Sequence, residues 1–192
     1  SESGGIMNLR KLASEIGVAH TTIGSYYQIL EDCLIAERIE PLTASATRKK
    51  LTRSDRFLFF DMGVRRLAAH EGRQPPRSQW GMLFEQFVGL ELLRSFRTQR
   101  RSLKLRFWRD PDGPEVDWVM DCDGVYVPIE VKWTDSPDAG DARHLNCFMA
   151  EYPTFGQGYV VCRAPRKTKI SDHVMALPWQ TFLDEIVLSV KG

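Results

Sequence analysis

The chain reads as a mixed α/β protein, with an N-terminal winged helix-turn-helix module followed by a mixed sheet covered by helices. Three observations predict this. Apolar residues recur at helical spacing near the N-terminus, Gly72, Pro75 and Pro76 break the pattern, and beyond them short apolar runs alternate with period two between helix-length segments. The expected modules span 1–70 and 78–192.

In 8–16, Leu9, Leu12, Ala13 and Ile16 fall on one helical face, and Gly17 ends the helix. A second helix begins near His20 and turns Ile23, Tyr26, Tyr27 and Leu30 to one side. Helix, glycine turn, helix is the pattern in which the second helix can lie in a DNA major groove, with Thr21, Thr22 and Ser25 facing the bases. Ala19 stands where a capping Ser, Thr or Asp belongs, unless the helix starts one residue later. The usual first helix of a three-helix module would precede Ser1. Two strands, 34–42 and 57–61, then flank a polar basic turn and form a wing. Arg48, Lys49, Lys50, Arg53 and Arg56 lie near its tip or base, where phosphates are met. Packing against protein alone is the alternative.

The stretch 68–79 is the expected boundary. After it, 80–96 forms a long helix with Trp80, Leu83, Phe84, Phe87 and Val88 on its core side. Strands at 104–110, 115–121 and 125–133, a helix at 141–150, a strand at 158–163 and a closing amphipathic helix at 179–190 complete the order.

Composition bounds the function. With 43% hydrophobic and 27% charged residues, the chain is ordinary for a folded protein of one or two domains. Cys33, Cys122, Cys147 and Cys162 form no C-x-x-C pair and have no histidine at ligand spacing, so neither a zinc site nor a disulfide framework is indicated, and a reducing cytoplasm is the expected home. No run is long enough to span a bilayer and no leader opens the chain, so no membrane partner is expected. Ser1 to Gly5 lacks an initiator Met and reads as a linker, which suggests a part of a longer polypeptide. The net charge is +1, unevenly spread: 94–109 is basic without an acid, whereas 110–141 is acidic with Lys132 as its single base. That layout suits a cation-binding floor between phosphate-attracting walls. Solvated faces that fold apart would produce it too.

Strand periodicity locates the charges. Ile129, Val131 and Trp133 share one face, so Glu130 and Lys132 share the other. Val116, Trp118 and Met120 share a face and leave Asp117 opposite. On adjacent strands, Asp117 and the Glu130/Lys132 pair converge. Buried without partners, they would be costly. Asp117, Glu130 and the Val131 carbonyl instead suit Mg²⁺ or Mn²⁺, with Lys132 orienting water or stabilising a phosphorane.

A carboxylate on one strand followed by Glu-x-Lys on the next resembles the PD-(D/E)XK nuclease superfamily with its restriction-endonuclease-like fold. The resemblance implies that Asp117 is the first motif acid, that Glu130 and Lys132 are the paired Glu and Lys, and that Glu85 on the long helix joins the metal shell. Val116 stands where many members have Pro. The order of winged helix, "FLFFDMG", "LFEQFV", "FWRDPDGPEVDWV" and "PIEVKW" is also similar to the C-terminal half of a family of prokaryotic AAA-type ATPases. That likeness implies a P-loop module upstream in the same polypeptide, where ATP would bind, since this chain has no G-x-x-x-x-G-K-[ST].

Two functions stay open: a metal-dependent phosphodiesterase acting on DNA or RNA, and a non-catalytic module that binds DNA or protein for an attached ATPase. Oligomeric state is open as well. His20, His70, His144 and His173 are dispersed and read as surface residues. Asp121 and Asp123 read as a hairpin turn. Trp108, Trp118 and Trp133 read as core, and Glu115 as either a further ligand or a strand-edge residue.

Overall fold

A computed structural model describes residues 4–43, 51–72, 74–98, 103–111, 113–154 and 156–187. The fold is α/β and divides into two compact units, Ser1–Glu40 with Arg53–Pro75, and Pro41–Thr52 with Pro76–Gly192.

The first unit opens with α1 (Leu9–Ile16) and α2 (His20–Asp32). Asn8 caps α1 by accepting from the Lys11 N–H, and Gly17 closes it at φ 77°, a left-handed conformation that glycine adopts without a Cβ penalty. Helix α2 starts at His20 with Ala19 as its cap residue, and no side chain takes up its first N–H groups. Strands β1 (Ala36–Ile39) and β2 (Arg56–Phe59) pair antiparallel. Met7, Ala36 and Phe57 form a small core with Leu9, Tyr27 and Leu30 against it. A helix not expected from sequence, α3 (Met62–Ala68), follows because Asp61 caps it, accepting from the N–H groups of Gly63 and Val64 at 2.7 and 3.0 Å.

The second unit contains α4 (Trp80–Thr98), β3 (Lys104–Arg109), β4 (Glu115–Cys122), β5 (Val125–Val131), α5 (Arg143–Met149), β6 (Gly158–Cys162), β7 (Thr168–Ser171), β8 (Val174–Pro178) and a short α6 (Trp179–Thr181). Its six-stranded mixed sheet runs β3-β4-β5-β6-β8-β7, with β5, β6 and β8 parallel and the remaining pairs antiparallel. The β7–β8 hairpin is absent from the sequence reading, because Thr168–Ser171 is a polar edge strand with no apolar alternation. The closing helix is only partly α: after Thr181 it widens into π geometry over Phe182–Val187.

Two helices sandwich the sheet. On one face α4 approaches so closely that a Cβ at Gly89 would lie 2.6 Å from the Trp118 ring, and the Trp118 indole N–H donates to the Glu85 backbone oxygen at 3.0 Å. On the other face Leu145 and Phe148 of α5 join Val116, Val119, Val160 and Trp108 in the main core. The stretch Pro41–Thr52, which runs from the end of the expected strand 34–42 through the expected wing turn, belongs to this unit. Pro41 bridges Phe107, the Leu42 N–H donates to Phe107 O at 2.7 Å, and the Thr52 N–H donates to Arg109 O at 3.0 Å. Leu42 and Leu51 are buried in the same core. Arg48, Lys49 and Lys50 lie outside the described residues.

Candidate metal and phosphate site

Strands β4 and β5 are adjacent and antiparallel, with Trp118 opposite Ile129. The pairing of β4 with β3 is irregular: Arg106 faces Val119, yet Trp108 faces Val116, so Asp117 and Trp118 together stand opposite Phe107. This β-bulge shifts the alternation within β4. Val116 therefore joins Val119 in the α5-side core while Trp118 packs on α4, which corrects the expectation that Val116, Trp118 and Met120 share one face. The bulge also turns Asp117 toward β5, where its Oδ2 accepts the Val131 N–H at 2.8 Å. A side chain replaces a backbone carbonyl in the ladder here, and it pins the carboxylate at 8% exposure.

Glu130 lies beside it at 4% exposure. Its Oε1 takes an ion pair from Lys132 Nζ at 2.6 Å, which the i, i+2 spacing on one strand face allows. Its Oε2 is buried and makes no hydrogen bond among the described residues. Burial first, then the charge of Asp117, push the Glu130 carboxyl up to about 8, and the neighbouring Lys132 only partly opposes this. For Lys132, burial acts to lower the pKa, but the charges of Glu130, Asp117 and Asp141 outweigh it and the ammonium is held above its ordinary value. Asp141 sits in a capping box with Asp138 before α5 and was not singled out in the sequence, where it looks like any loop acid.

The other candidates fall differently. Glu85 is half-buried on α4, and its backbone oxygen carries the contact to Trp118. Among the described residues no three His, Cys, Asp or Glu side chains gather closely enough to hold a metal ion, so the expected Glu85–Asp117–Glu130 set is not assembled. Helix α4 commits its Phe84 and Val88 to the core, which fixes where Glu85 can stand. Glu115 pairs with Arg109 at 3.0 Å, its neighbour across the β3–β4 edge. Two carboxylates remain together. They fit a hard cation that takes few protein oxygens and keeps water, and the unbonded Glu130 Oε2 is the donor such an ion would use.

In the first unit, Thr21 and Ser25 are exposed on α2 and Thr22 is half-buried. The Ser25 hydroxyl donates to Thr21 O at 3.2 Å. Arg53 is exposed and, with Arg10, His20, Arg38 and Asp55, lines a cavity of about 410 Å³ beside the start of α2. Arg38 is already engaged with Glu31 and Asp55. Trp108 and Trp118 are fully buried as expected, but Trp133 is 40% exposed, a departure that the alternating pattern of its strand could not reveal.

Two family profiles match. One, described as Domain of unknown function (DUF4143), covers residues 80–182, and the other, described as Domain of unknown function (DUF8612), covers residues 1–74. No characterised protein and no solved structure matches the chain. Among the described residues, no helix is long and apolar enough to cross a membrane.

Proposed function

Because the chain belongs to the family described as Domain of unknown function (DUF4143), a domain found C-terminal to AAA ATPases in general, we propose that it is the nuclease-like module of such a protein, a metal-dependent phosphodiesterase. The observation that carries this reading is the pair Asp117 and Glu130, side by side at the β4–β5 seam, with one Glu130 oxygen buried and unbonded. On this reading the second unit is a restriction-endonuclease-like domain and the first a winged helix.

Asp117 and Glu130 would hold Mg²⁺ or Mn²⁺, which when bound supplies charge stabilisation to a phosphodiester. Lys132 presents an ammonium fixed by Glu130 and open to solvent on its far side, at 39% side-chain exposure, so it can donate to a phosphate oxygen. Asp117 keeps its orientation through the Val131 N–H. Thr21, Thr22, Ser25 and Arg53 would position DNA from the first unit, and the ATPase module would lie upstream in the same polypeptide.

Calorimetric titration of Mn²⁺ into wild type and into Asp117→Ala/Glu130→Ala tests the reading, followed by incubation of the same samples with plasmid and single-stranded DNA. Binding and cleavage in wild type, both lost in the double variant, are expected. Wild type that takes up no Mn²⁺ at millimolar concentration would overturn the reading.

A second reading, a non-catalytic binding module, is favoured by α2 itself. Tyr26 and Ile29 are exposed on it near Glu31 and Asp32, a surface better suited to protein than to DNA phosphate.

A further inference from the structure

Away from the carboxylates, the second unit holds an open groove of about 440 Å³ lined by Trp80, Leu83, Phe84, Phe87, Trp133 and Trp179. Its walls are mostly aromatic. Trp133 meets Trp80 and Phe84 edge to face at centroid distances of 5.5 and 5.2 Å, and Phe87 meets Trp179 in the same way at 5.0 Å. Among the described residues, Trp133 is the one large apolar side chain of this unit left exposed. Two guanidinium groups stand over the rings, Arg163 at 4.3 Å from the Trp133 centroid and Arg77 at 5.5 Å from that of Trp80.

Rings flanked by stacked cations suit a ligand that carries flat faces and negative charge together. Arg163 also meets the exposed Asp135 at 3.4 Å, a surface pair that a phosphate can exchange for. An apolar peptide would use the rings alone, whereas a nucleotide uses the rings and the cations. The groove is also placed for one. Trp133 directly follows Lys132, so the C-terminal end of β5 carries Glu130 and Lys132 toward one side and Trp133 toward the other. A chain crossing that end can set a base on one side and a phosphate on the other.

We infer that this groove is a subsite for an unpaired base of a single-stranded nucleic acid. The inference deepens the phosphodiesterase reading and rests on it for the position of the phosphate. Bases inside a duplex have their faces occupied by neighbours, so the groove selects single strands.

The test is fluorescence anisotropy of a labelled mixed-sequence 12-mer, single-stranded and as its duplex, with the full chain in EDTA so that nothing is cut. Wild type should bind the single strand more tightly than the duplex. Trp133→Ala should weaken single-strand binding by about tenfold or more, the scale of one base stacked on one ring. Trp133→Phe, which keeps a ring, should recover much of it, and circular dichroism should show both variants folded. Equal single-strand binding by wild type and Trp133→Ala, or no preference over duplex, would overturn the inference and leave the groove to a protein segment. Cleavage with Mn²⁺ is read separately. Ring-dependent binding without cleavage keeps the subsite and removes the phosphodiesterase, whereas cleavage with ring-independent binding does the reverse.

Discussion

The first unit leaves large apolar side chains outside, among them Ile16, Tyr26, Ile29, Leu34, Phe60 and Leu67, while the second takes carboxylates inside. Each unit departs from the rule of apolar interior and polar exterior: the first chiefly by its apolar surface, though it also buries Arg56 and Arg65, and the second chiefly by its buried carboxylates. In the first unit the buried apolar residues are few among those described, with Met7, Ala36 and Phe57 forming one small cluster beside others such as Ile23, Ile39 and Leu58, and much apolar surface is left over. In the second unit the sheet is filled on both faces, from Trp108, Phe148 and Val160 on the α5 side to Trp118 on the α4 side. A core of that size can tolerate two buried carboxylates, and it confines them to a single seam. The comparison separates two kinds of exception. Exposed apolar area costs little stability, whereas a buried carboxylate costs stability at every pH where it is charged.

Three substitutions would break or sharpen this contrast. The largest effect is expected at Trp108, whose ring packs against Phe148 at 5.5 Å and whose indole N–H donates to the Tyr152 hydroxyl at 3.2 Å. Trp108→Ala should cost about 3–5 kcal/mol in denaturant unfolding. A loss below about 1 kcal/mol would mean that the second unit's core is not what carries its buried charges.

A smaller effect, dependent on pH, is expected at Glu130. Its carboxyl titrates at about 8 in the folded chain and near 4.5 when unfolded, so between those values the folded state holds a proton that the unfolded state has released. Stability without divalent cations should therefore fall as pH rises from 4.5 to 8. Glu130→Gln should flatten that slope and be the more stable protein at pH 8, by about 1 kcal/mol or more. Parallel stability curves for the two proteins over this range would show that the seam does not carry the strain assigned to it.

The smallest effect is expected on the exposed side of α2. Ile29→Ser should change unfolding by no more than about 0.5 kcal/mol. A larger loss would place Ile29 in a core and remove the first half of the contrast.

Much of the second unit was legible because its signals are local. Alternation in Ile129–Glu130–Val131–Lys132 is enough to set Glu130 and Lys132 on one face, and the 2.6 Å contact between them follows from that spacing. The alternation also pointed Asp117 toward the Glu130 strand, but the bulge that separates Val116 from the Trp118 face was not legible, since it is a property of the register between β3 and β4 and not of either strand alone. The exposure of Trp133 depends on where β5 stops and on what α4 and α6 leave open beside it. In the first unit, the glycine turn at Gly17 could be read directly. Helix α3 could not, because it rests on one Asp61 cap and seven residues, too short for periodicity to show.

The attachment of Pro41–Thr52 to β3 changes what it means to divide this polypeptide. The chain passes between the two units at 40/41, at 52/53 and at 75/76, so the units are threaded through one another's sequence and are not strung end to end. A cut in the Gly- and Pro-rich stretch at 72–76 severs only one of three covalent crossings. A chain starting at residue 78 would lack Leu42 and Leu51 from its core and would bare the outer edge of β3, a row of unpaired backbone groups open to pairing with another chain. The smallest continuous piece that preserves the sheet as folded begins at Pro41, and it carries β2 and α3 of the first unit without β1, the strand that β2 pairs with.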